Sequence, residues 1–381
     1  MESKQIVHID LDSFFVSVEC RKDKRLLNKP VAIGGSSERG VVASCSYEAR
    51  KYGVHADMNG KQAKRLCPEL IFVKPNFESY SKASQEVTQI IAEQVPIFEK
   101  SSIDEFYIDM TGMEKYFGTL KKAVELRNKI IAETLLPISF GLSANKTVSK
   151  IATGLAKPNN FLQVMPGTEK EFLAPLPVGK IPMIGEKAVL ELKKMEIITI
   201  ADLQKTSLLA LKTNFGKQGV AMWEKANGTY FSEVVPYSDR KSISSETTFE
   251  KDISDAKVLE SVIISLTEGL CSKIRQENFL TTCVTLKIRY GNFSTYTHQN
   301  KVLPTCADHV LIAQVKDIFK KIYNGQIPVR LIGVKFSNLI QGHYQINIFE
   351  DSVAQAQLYQ ALDKLNNKYG SKTIGRAISM G

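Results

Sequence analysis

The sequence contains no closely spaced cysteine pair. Its six cysteines are scattered along the chain, and no two of them form a C-x-x-C motif. They are Cys20, Cys45, Cys67, Cys271, Cys283 and Cys306. Structural zinc sites and disulfide frameworks need such clusters, so neither is indicated, and we expect ordinary reduced thiols.

Long apolar runs are absent as well. No uncharged stretch approaches the roughly 18 residues that suggest a membrane-spanning helix. The apolar stretch from Ile6 to Leu11 is interrupted by His8 and Asp10 and follows no basic head, which argues against a signal peptide. Internal repeats and low-complexity tracts are also missing. We therefore expect a soluble, cytoplasmic protein without a membrane partner.

The chain does contain enough apolar residues for large cores, and an excess of positive charge. Of its 381 residues 43% are hydrophobic, and the formal net charge is +10. Single cores rarely grow beyond about 250 residues, so we expect two or more domains. The charge favours a polyanionic partner such as nucleic acid, although charge alone does not establish one.

Two acidic motifs stand where apolar stretches end. The alternation from Gln5 to Asp12 predicts a strand with one apolar face and places Asp10 at its end. The stretch from Ser101 to Asp109 predicts a hairpin. Neighbours on a regular strand point to opposite faces, so Asp104 and Glu105 can reach one site only at a bend or strand end.

If the two motifs meet, they form a site for two metal ions. Asp10, Asp104 and Glu105 would supply carboxylates, and the backbone carbonyl of Leu11 a further oxygen. Mg²⁺ prefers oxygen ligands, and catalysts of phosphoryl transfer bridge two such ions about 3.5–4 Å apart. Taken alone, each motif is also explained as solvated surface charge, and Asp12 as a helix cap.

The patterns between the motifs predict a layered β-α-β-α domain with a small insertion. The insertion spans residues 14–77, helices are predicted over 80–93 and 120–135, and a strand over 138–142. A helix over Asn145 to Lys157 is amphipathic, with Lys146, Lys150 and Lys157 forming a stripe opposite the apolar face. Such a stripe suits DNA, and we interpret Lys146 and Lys150 as contacts to it.

Two later segments also suggest contacts to phosphate. Residues 181–187, IPMIGEK, predict a turn between two short helices, which aims the second helix N-terminus, with Gly185 and Lys187, at a phosphate. A plain Gly-Pro loop explains this turn equally well. After a linker-like stretch at 234–245, residues 281–301 contain no Asp or Glu, and Lys287 and Arg289 share one strand face. We favour a phosphate contact there over plain solubility.

Four stretches are long enough to be compared with known families. They are residues 9–19 (IDLDSFFVSVE), 43–54 (ASCSYEARKYGV), 102–105 (SIDE) and 155–159 (LAKPN). In this order they resemble the motifs of Y-family translesion DNA polymerases, with the DinB, or DNA polymerase IV, branch closest. The resemblance extends over nearly the whole chain.

The resemblance implies an α/β multidomain, right-hand polymerase fold. It implies an α+β palm (1–10 and 77–165), small fingers (11–76), a helical helix-hairpin-helix thumb (166–232), a linker (233–243), a β-sheet little finger (244–341) and a tail (342–381). It also implies that the three carboxylates hold two Mg²⁺ ions. Phe15 would be a steric gate that fills the space of a ribose 2′-hydroxyl, with Phe14 beside it near the incoming sugar.

The resemblance further implies a binding site for the dNTP triphosphate. The matching positions supply two hydroxyls and two cations, a suitable set for a polyphosphate. They are Ser44, Tyr47, Arg50 and Lys157. The chain departs from the family where Ser-x-Met-Pro is common, because it has Ala56-Asp57-Met58-Asn59. Asp57 adds negative charge near the expected template path.

The C-terminal region suggests a further partner. Gln345, Ile346, Asn347, Ile348 and Phe349 resemble the Q-x-x-L-F peptide that docks on the bacterial sliding clamp, although an edge strand would suit the same residues. A helix is predicted over residues 355–369, with its leucines in phase.

The leading hypothesis is a template-directed DNA polymerase that extends a primer with dNTPs opposite damaged bases. We expect it to have low fidelity and no proofreading, and to act as a monomer at the nucleoid. A nucleotide cyclase is the alternative enzyme, because cyclases also pair a strand-end Asp with an acidic turn. A DNA-binding scaffold that recruits partners to the clamp is the alternative without catalysis.

Overall fold

The computed structural model of the chain describes residues 4–113, 118–236, 239–342 and 353–370, together with Ile374 and Arg376. The chain divides into two compact units, Met1–Ser238 and Asp239–Gly381. The division falls inside the predicted linker. None of the described helices is both long enough and apolar enough to cross a membrane. All six cysteines are free thiols, as predicted.

The first unit contains two sheets and a series of helices. Its strands are β1 (Ile6–Leu11), β2 (Val31–Gly34), β3 (Val42–Cys45), β4 (Ile71–Val73), β5 (Phe98–Lys100), β6 (Glu105–Asp109), β7 (Ile138–Ser143) and β8 (Phe161–Gln163). Its helices are α1 (Phe14–Lys22), α2 (Tyr47–Arg50), α3 (Gly60–Leu66), α4 (Phe77–Gln94), α5 (Thr119–Thr134), α6 (Lys146–Ala156), α7 (Glu169–Leu173), α8 (Glu186–Lys194), α9 (Ile200–Lys205), α10 (Leu208–Phe215) and α11 (Lys217–Ala226).

Strand β1 is the central strand of a five-stranded sheet with the order β5-β6-β1-β7-β8. Its residues Val7, Ile9 and Leu11 are buried in a core with α4 and α5. The other face is covered by α6, and His8 on that face is only 1% exposed. The predicted strand is confirmed, but both of its faces are buried, because a central strand has a layer on each side.

Helix α6 lies against the polar face of this sheet. The approach is close because β7 carries Gly141, where a Cβ atom would lie only 2.2 Å from the carbonyl oxygen of Ser149. The apolar side of α6, with Val148, Ile151 and Ala152, packs into a separate core with residues of α7–α11. The predicted amphipathic helix is therefore confirmed, with its apolar face toward the later helices.

Residues 31–73 form a small insertion that is shorter than the predicted range 14–77, because Phe14, Val16 and Val18 of α1 pack into the core of the central sheet. Its three-stranded sheet has the order β3-β2-β4 and, with α2 and α3, encloses its own core. Strand β2 runs antiparallel to β3 and parallel to β4. The insertion comes after β1 and α1 in the sequence.

Residues 169–226 are helical, as predicted. The element before the IPMIGEK turn is a short 3₁₀ turn, Val178–Lys180, and the element after it is α8. A second tight connection joins α10 to α11 through Gly216, whose φ of 60° favours glycine.

The second unit is a four-stranded antiparallel sheet with two helices on one face. Its elements are β9 (Ser242–Ile253), α12 (Ala256–Gln276), β10 (Phe279–Tyr290), β11 (Thr295–Thr305), α13 (Asp308–Ile322) and β12 (Val329–Gln341), in the strand order β11-β10-β12-β9. Val284, Leu286 and Ile288 of β10 are fully buried, so the predicted apolar face of this strand is confirmed. The sheet begins at Ser242, two residues before the predicted domain boundary.

A final helix, α14 (Val353–Tyr369), belongs to the second unit. The predicted leucine stripe is not its buried face, because Leu358 and Leu365 are 53% and 38% exposed, whereas Tyr359 is buried. Polar contacts dock this helix instead: Asp363 accepts hydrogen bonds from Arg275 and Ser272. The clamp-like motif at residues 345–349 lies outside the described residues.

Candidate active site

Asp10 and Glu105 lie directly opposite each other on the antiparallel strands β1 and β6. Asp104 is the last residue of the turn before β6, and its carbonyl oxygen accepts a hydrogen bond from the Leu11 N–H at 3.1 Å. The Ser102 hydroxyl donates to the Asp104 carboxylate at 2.6 Å and shapes the turn. The two acidic motifs therefore meet at one end of the central sheet, as their patterns predict.

Two lysines neutralise this acidic pair. Like charges directly opposite in an antiparallel pair repel each other, so a buried pair needs cations nearby. The Lys157 ammonium lies 2.5 Å from a carboxylate oxygen of Asp10, and the Lys150 ammonium 2.5 Å from one of Glu105. The site is therefore an alternating cluster of carboxylates and ammonium groups.

Lys146 extends the same stripe of α6 and also faces inward. Its ammonium group lies 2.6 Å from the Glu99 carboxylate, also contacts the carbonyl oxygen of Glu233, and stands 4.7 Å from the centre of the Tyr107 ring. The predicted stripe of lysines opposite the apolar face of α6 therefore lies toward the sheet, where acidic residues of β5 and β6 bind Lys146 and Lys150. DNA contacts by Lys146 and Lys150 stay predictions.

Burial and neighbouring charge shift the pKa values of the pair in opposite directions. Burial raises the pKa of the Asp10 carboxyl to about 7, even though Lys157 acts in the opposite sense. Burial also acts to raise the pKa of Glu105, but His8 and Lys150 outweigh it and hold this pKa below its usual range. The two carboxylates thus differ in their affinity for a proton despite their matched positions.

His8 lies beneath the site and was not identified from the sequence. Its Nδ1 is 2.8 Å from the Thr153 hydroxyl of α6, and its Nε2 is 3.9 Å from the Glu105 carboxylate. Burial lowers the pKa of the ring, so it is neutral near pH 7. The Thr153 hydroxyl has one proton and also contacts the carbonyl oxygens of Ser149 and His8, at 2.8 and 3.0 Å, so Nδ1 can donate to it as well as accept from it. Nε2 makes no hydrogen bond within the described residues, so His8 lies beneath Glu105 without holding it.

The ligand types at the site suit a hard divalent cation. Asp10, Glu105 and Asp104 lie close together in the chain's fold at one end of the sheet, and oxygen ligands are those that Mg²⁺ prefers. Within the described ranges no group of three Asp, Glu, His or Cys side chains converges on a single point. Asp10 and Glu105 turn toward lysines and Asp104 toward Ser102, so metal binding requires these carboxylates to rotate.

A cluster of aromatic rings adjoins the start of α1. Phe15 is partly exposed, and its ring packs edge-on against Phe77 at a centroid distance of 5.8 Å. Phe14 is only 3% exposed and lies in the core, with its ring 5.6 Å from that of Phe15. The structure therefore places Phe15 at the surface of the cluster and Phe14 behind it, and a contact of Phe14 with the sugar stays a prediction.

The predicted triphosphate residues of the insertion lie on β3 and α2. Ser44 is half-buried on β3, and Tyr47 and Arg50 are at the two ends of α2. The Arg50 guanidinium stacks over the Tyr47 ring, 4.5 Å from its centre. The Tyr47 hydroxyl donates to Asp12 at 3.0 Å. Because a hydroxyl has one proton, this bond occupies the donor that a phosphate would otherwise receive.

Asp12 makes more contacts than the predicted role as a helix cap would require. Helix α1 is preceded by Ser13, which makes no side-chain capping bond. Asp12 is 1% exposed, and its carboxylate accepts hydrogen bonds from Tyr47, from Ser139 and from the backbone N–H of Asn159. The helix-cap prediction is wrong, because this carboxylate binds β7, α2 and the loop at Asn159 and not the N-terminus of α1.

Of the other predicted DNA contacts, Gly185 and Lys187 are exposed, and Lys287 and Arg289 are half-buried. Gly185 is the N-cap of α8 and provides no side-chain cap, and Lys187 in the first turn is exposed, so the helix N-terminus remains accessible to a phosphate. In the second unit the Lys287 ammonium pairs with Glu246 at 2.9 Å, and Arg289 donates to Thr295. The stretch without acidic residues is therefore neutralised in part by Glu246 of strand β9, which pairs with Lys287.

The departure at residues 56–59 has a local structural reason. Asn59 is the N-cap of α3, where its side chain accepts from the Lys61 N–H and donates to the Glu38 carbonyl. Asp57 has a φ of 68°, a conformation that Asp tolerates better than most residues. In this chain a capping hydrogen bond from Asn59 fixes the start of α3, where the family commonly has a rigid proline.

Comparisons with known proteins agree with this geometry. Residues 9–154 match the model of the impB/mucB/samB family, and residues 240–348 match its C-terminal domain. DNA polymerase IV from Dehalococcoides mccartyi (strain ATCC BAA-2266 / KCTC 15142 / 195) is 36% identical over 381 residues, covering 98% of this chain and 97% of that protein. DNA polymerase IV 1 from Bacillus subtilis (strain 168) is 33% identical over 389 residues, covering 100% of this chain and 94% of that protein.

A solved structure is similar over most of the chain. It is the Y-family DNA polymerase chimera Dbh-Dpo4(243-245)-Dbh, with a TM-score of 0.79 and 24% identity, covering 89% of this chain and 100% of that one. At this identity the likeness concerns the fold alone. It confirms the predicted multidomain α/β right-hand architecture with a separate C-terminal sheet domain.

Proposed function

The chain belongs to the impB/mucB/samB family as a Y-family DNA polymerase of the DinB branch, and we propose that it extends primers across damaged templates at the Asp10, Asp104 and Glu105 site. Its relatives support template-directed DNA synthesis with a divalent metal, a DNA template and dNTPs, in the setting of translesion synthesis. The use of two Mg²⁺ ions, low fidelity and the residue roles are parts of the proposal.

The observation that carries the proposal is the cross-strand pair of Asp10 and Glu105, with Asp104 on the adjoining turn. Opposed carboxylates on neighbouring strands are costly unless cations lie between or beside them. A pair of carboxylates with a purely structural role could be replaced by apolar residues at little cost in stability. A site that keeps opposed carboxylates and is lined by oxygen ligands is therefore better explained by the binding of two divalent ions.

The proposed chemistry divides its tasks among the residues of the chain. When bound, divalent ions would activate the primer 3′-oxygen and stabilise the charge that develops on the leaving phosphate. Asp10 and Glu105 orient the ligand oxygens from the rigid strands β1 and β6. Lys157 contacts Asp10 in this structure. Once another cation lies beside Asp10, the Lys157 side chain can turn away and place its ammonium group against the triphosphate.

The remaining residues position the nucleotide and the DNA. The partly exposed ring of Phe15 would exclude a ribose 2′-hydroxyl, and Ser44 and Arg50 would contact the triphosphate from the fingers. The α8 N-terminus at Gly185 and the basic face with Lys287 would hold the DNA backbone in their respective units. These contacts carry no base readout, which is consistent with a tolerant, low-fidelity enzyme.

The proposal also includes the domain roles and partners predicted from the sequence. The first unit would contain palm, fingers and thumb, and the second the little finger. The enzyme would act without proofreading, because the sequence has no second carboxylate cluster with exonuclease spacing. The motif at residues 345–349 would dock on the sliding clamp. Deletion of this motif should reduce clamp-stimulated synthesis and leave the unstimulated rate; equal stimulation after deletion would contradict this role.

Primer extension tests the proposed function directly. The full chain is incubated with a primed template, dNTPs and Mg²⁺, on undamaged templates and on templates with a single lesion. We expect extension on both, and extension should stop when the metal is removed with a chelator. No extension on the undamaged template would contradict the proposal. Clean stopping at every lesion tested would contradict its translesion part.

A further inference from the structure

Asp12 joins three separate parts of the first unit through one carboxylate. Its Oδ1 accepts from the Tyr47 hydroxyl of the fingers at 3.0 Å. Its Oδ2 accepts from the Ser139 hydroxyl of β7 at 2.8 Å and from the backbone N–H of Asn159 at 2.7 Å. With 1% of the residue exposed, water cannot replace these donors. Each bond therefore offsets part of the cost of burying this carboxylate.

Two of these donors lead directly to cations that we assign to the triphosphate. The Tyr47 ring supports the Arg50 guanidinium stacked 4.5 Å above it. Asn159 follows Lys157 by two residues, and Arg127 holds it from the other side with hydrogen bonds of 2.8 and 2.6 Å to its backbone and side-chain oxygens. Asp12 is thus the shared partner of a fingers helix and of the loop that carries Lys157.

We infer that Asp12 is a positioning residue that holds the fingers cation Arg50 and the palm cation Lys157 at a fixed separation, so that one triphosphate meets both. This inference rests on the proposed function, since it concerns the same nucleotide site. Asp12 touches neither substrate nor metal in this role. Both of its oxygens are engaged by hydrogen bonds, and Ser13 rather than Asp12 precedes helix α1.

The amide variant Asp12→Asn separates positioning from metal binding. An asparagine carbonyl oxygen in place of Oδ2 would still accept from Ser139 and Asn159. Its NH₂ group in place of Oδ1 would donate to the Tyr47 hydroxyl, which can accept. All three contacts are kept, and the Tyr47 proton is released for a phosphate. A metal ligand, in contrast, would lose its charge in this variant.

The experiment measures KM for dNTP and kcat in primer extension by the full chain. We expect Asp12→Ala to raise KM by about tenfold or more, roughly the value of one lost positioning hydrogen bond, with a smaller change in kcat. Asp12→Asn should have a KM equal to or below that of the wild type. Equilibrium binding of dNTP to the enzyme on a dideoxy-terminated primer should show the same order of affinities.

A double-mutant cycle tests whether Asp12 acts through Tyr47. Tyr47→Phe removes the donor and keeps the ring under Arg50, so it should raise KM by a smaller factor. The double variant should be no worse than Asp12→Ala alone, because both changes break the same contact. Ser139→Ala, which removes a hydrogen bond to the same carboxylate without touching Tyr47 or Asn159, is the matched control and should keep KM within about twofold.

Three results would overturn the inference. They are a wild-type KM in Asp12→Ala, a loss of kcat in Asp12→Asn as large as in Asp12→Ala, and full additivity in the cycle. If Asp12→Ala does not fold, the other two variants decide. A KM at or below the wild-type value in Asp12→Asn, together with a raised KM in Tyr47→Phe, supports the inference. Any other pair of results contradicts it. Failure of the wild type to extend a primer would instead refute the proposed function.

Discussion

The ring of Phe15 lies nearly parallel to the ring of Tyr80, with centroids 4.4 Å apart and an angle of 15° between the planes. Tyr80 belongs to helix α4 and is fully buried in the core of the central sheet, so it cannot shift to accommodate its neighbour. Phe15 is thus held by a rigid ring behind it while part of its surface stays exposed. A side chain with this support can act as a steric barrier, because it does not yield when a larger sugar approaches.

Phe15→Val should allow ribonucleotides to be incorporated. The smaller side chain opens the space that the ring fills, and we expect the preference for dNTP over rNTP, measured as a ratio of kcat/KM, to fall by at least about tenfold. Phe14→Leu is the matched control, because this buried neighbour should affect stability but not sugar choice. Unchanged sugar discrimination in Phe15→Val would contradict the role as a gate.

Gly141→Ala should strongly destabilise the first unit. The added Cβ would lie 2.2 Å from the Ser149 carbonyl and 2.6 Å from the Thr153 N–H, both backbone atoms of α6 that cannot easily move. We expect a loss of about 3 kcal/mol or more in the free energy of unfolding, measured by denaturant titration. Gly154→Ala on the same helix is the control: it meets nothing within 4 Å and should stabilise by about 0.5–1 kcal/mol.

Arg275→Met should destabilise the second unit. The guanidinium is bound by Asp308 at 2.5 Å and by Asp363 of α14 at 2.7 Å, and all three side chains are at most 15% exposed. Removing the cation leaves two carboxylates facing each other with little water, at a cost of about 3 kcal/mol. Lys194→Met breaks the exposed pair with Glu191 and should change stability by less than about 0.5 kcal/mol. Equal effects of the two variants would contradict the assignment of α14 as a docked helix.

Glu246→Gln should tighten DNA binding. Glu246 holds the Lys287 ammonium at 2.9 Å, and it can do so because Gly333 on the strand between them leaves room for the Glu246 side chain. Once released, Lys287 can neutralise one more phosphate, so the slope of log K against log salt should steepen by about 0.9. Glu133→Gln on α5 removes the same charge elsewhere. An equal change in both variants would mean that only net charge matters.

The sequence was a good guide to the elements and a poor guide to their environment. Strand β1, the hairpin at β5 and β6, and α6 were all predicted, because their periodicity is local. The direction of the α6 lysines was not, since it depends on acidic residues of β1, β5 and β6 that lie 45 or more positions away. Helix α14 was predicted too, but its pattern of leucines did not indicate that Tyr359 would be buried.

His8 and Asp12 show why the site was only partly predicted. They alternate with the apolar residues in and just after β1, as Asp10 does, and this alternation predicted only a strand with one apolar face. Only the strand order reveals that β1 is central and that its polar face is covered by α6 and by the loop at Asn159. Three polar residues on one face of a central strand indicate a site, but the position of a strand in its sheet is a long-range property.

The most direct test of the account is the single-turnover rate of primer extension by Asp104→Ala. Asp104 lies on a turn and is bound by Ser102 alone among the side chains described, so its removal leaves the Asp10 and Glu105 pairs intact. Asp109→Asn, at the far end of β6, is the control and should keep a near wild-type rate. The account predicts a loss of roughly a thousandfold for Asp104→Ala. Extension at the wild-type rate would show that the three carboxylates do not form the catalytic site.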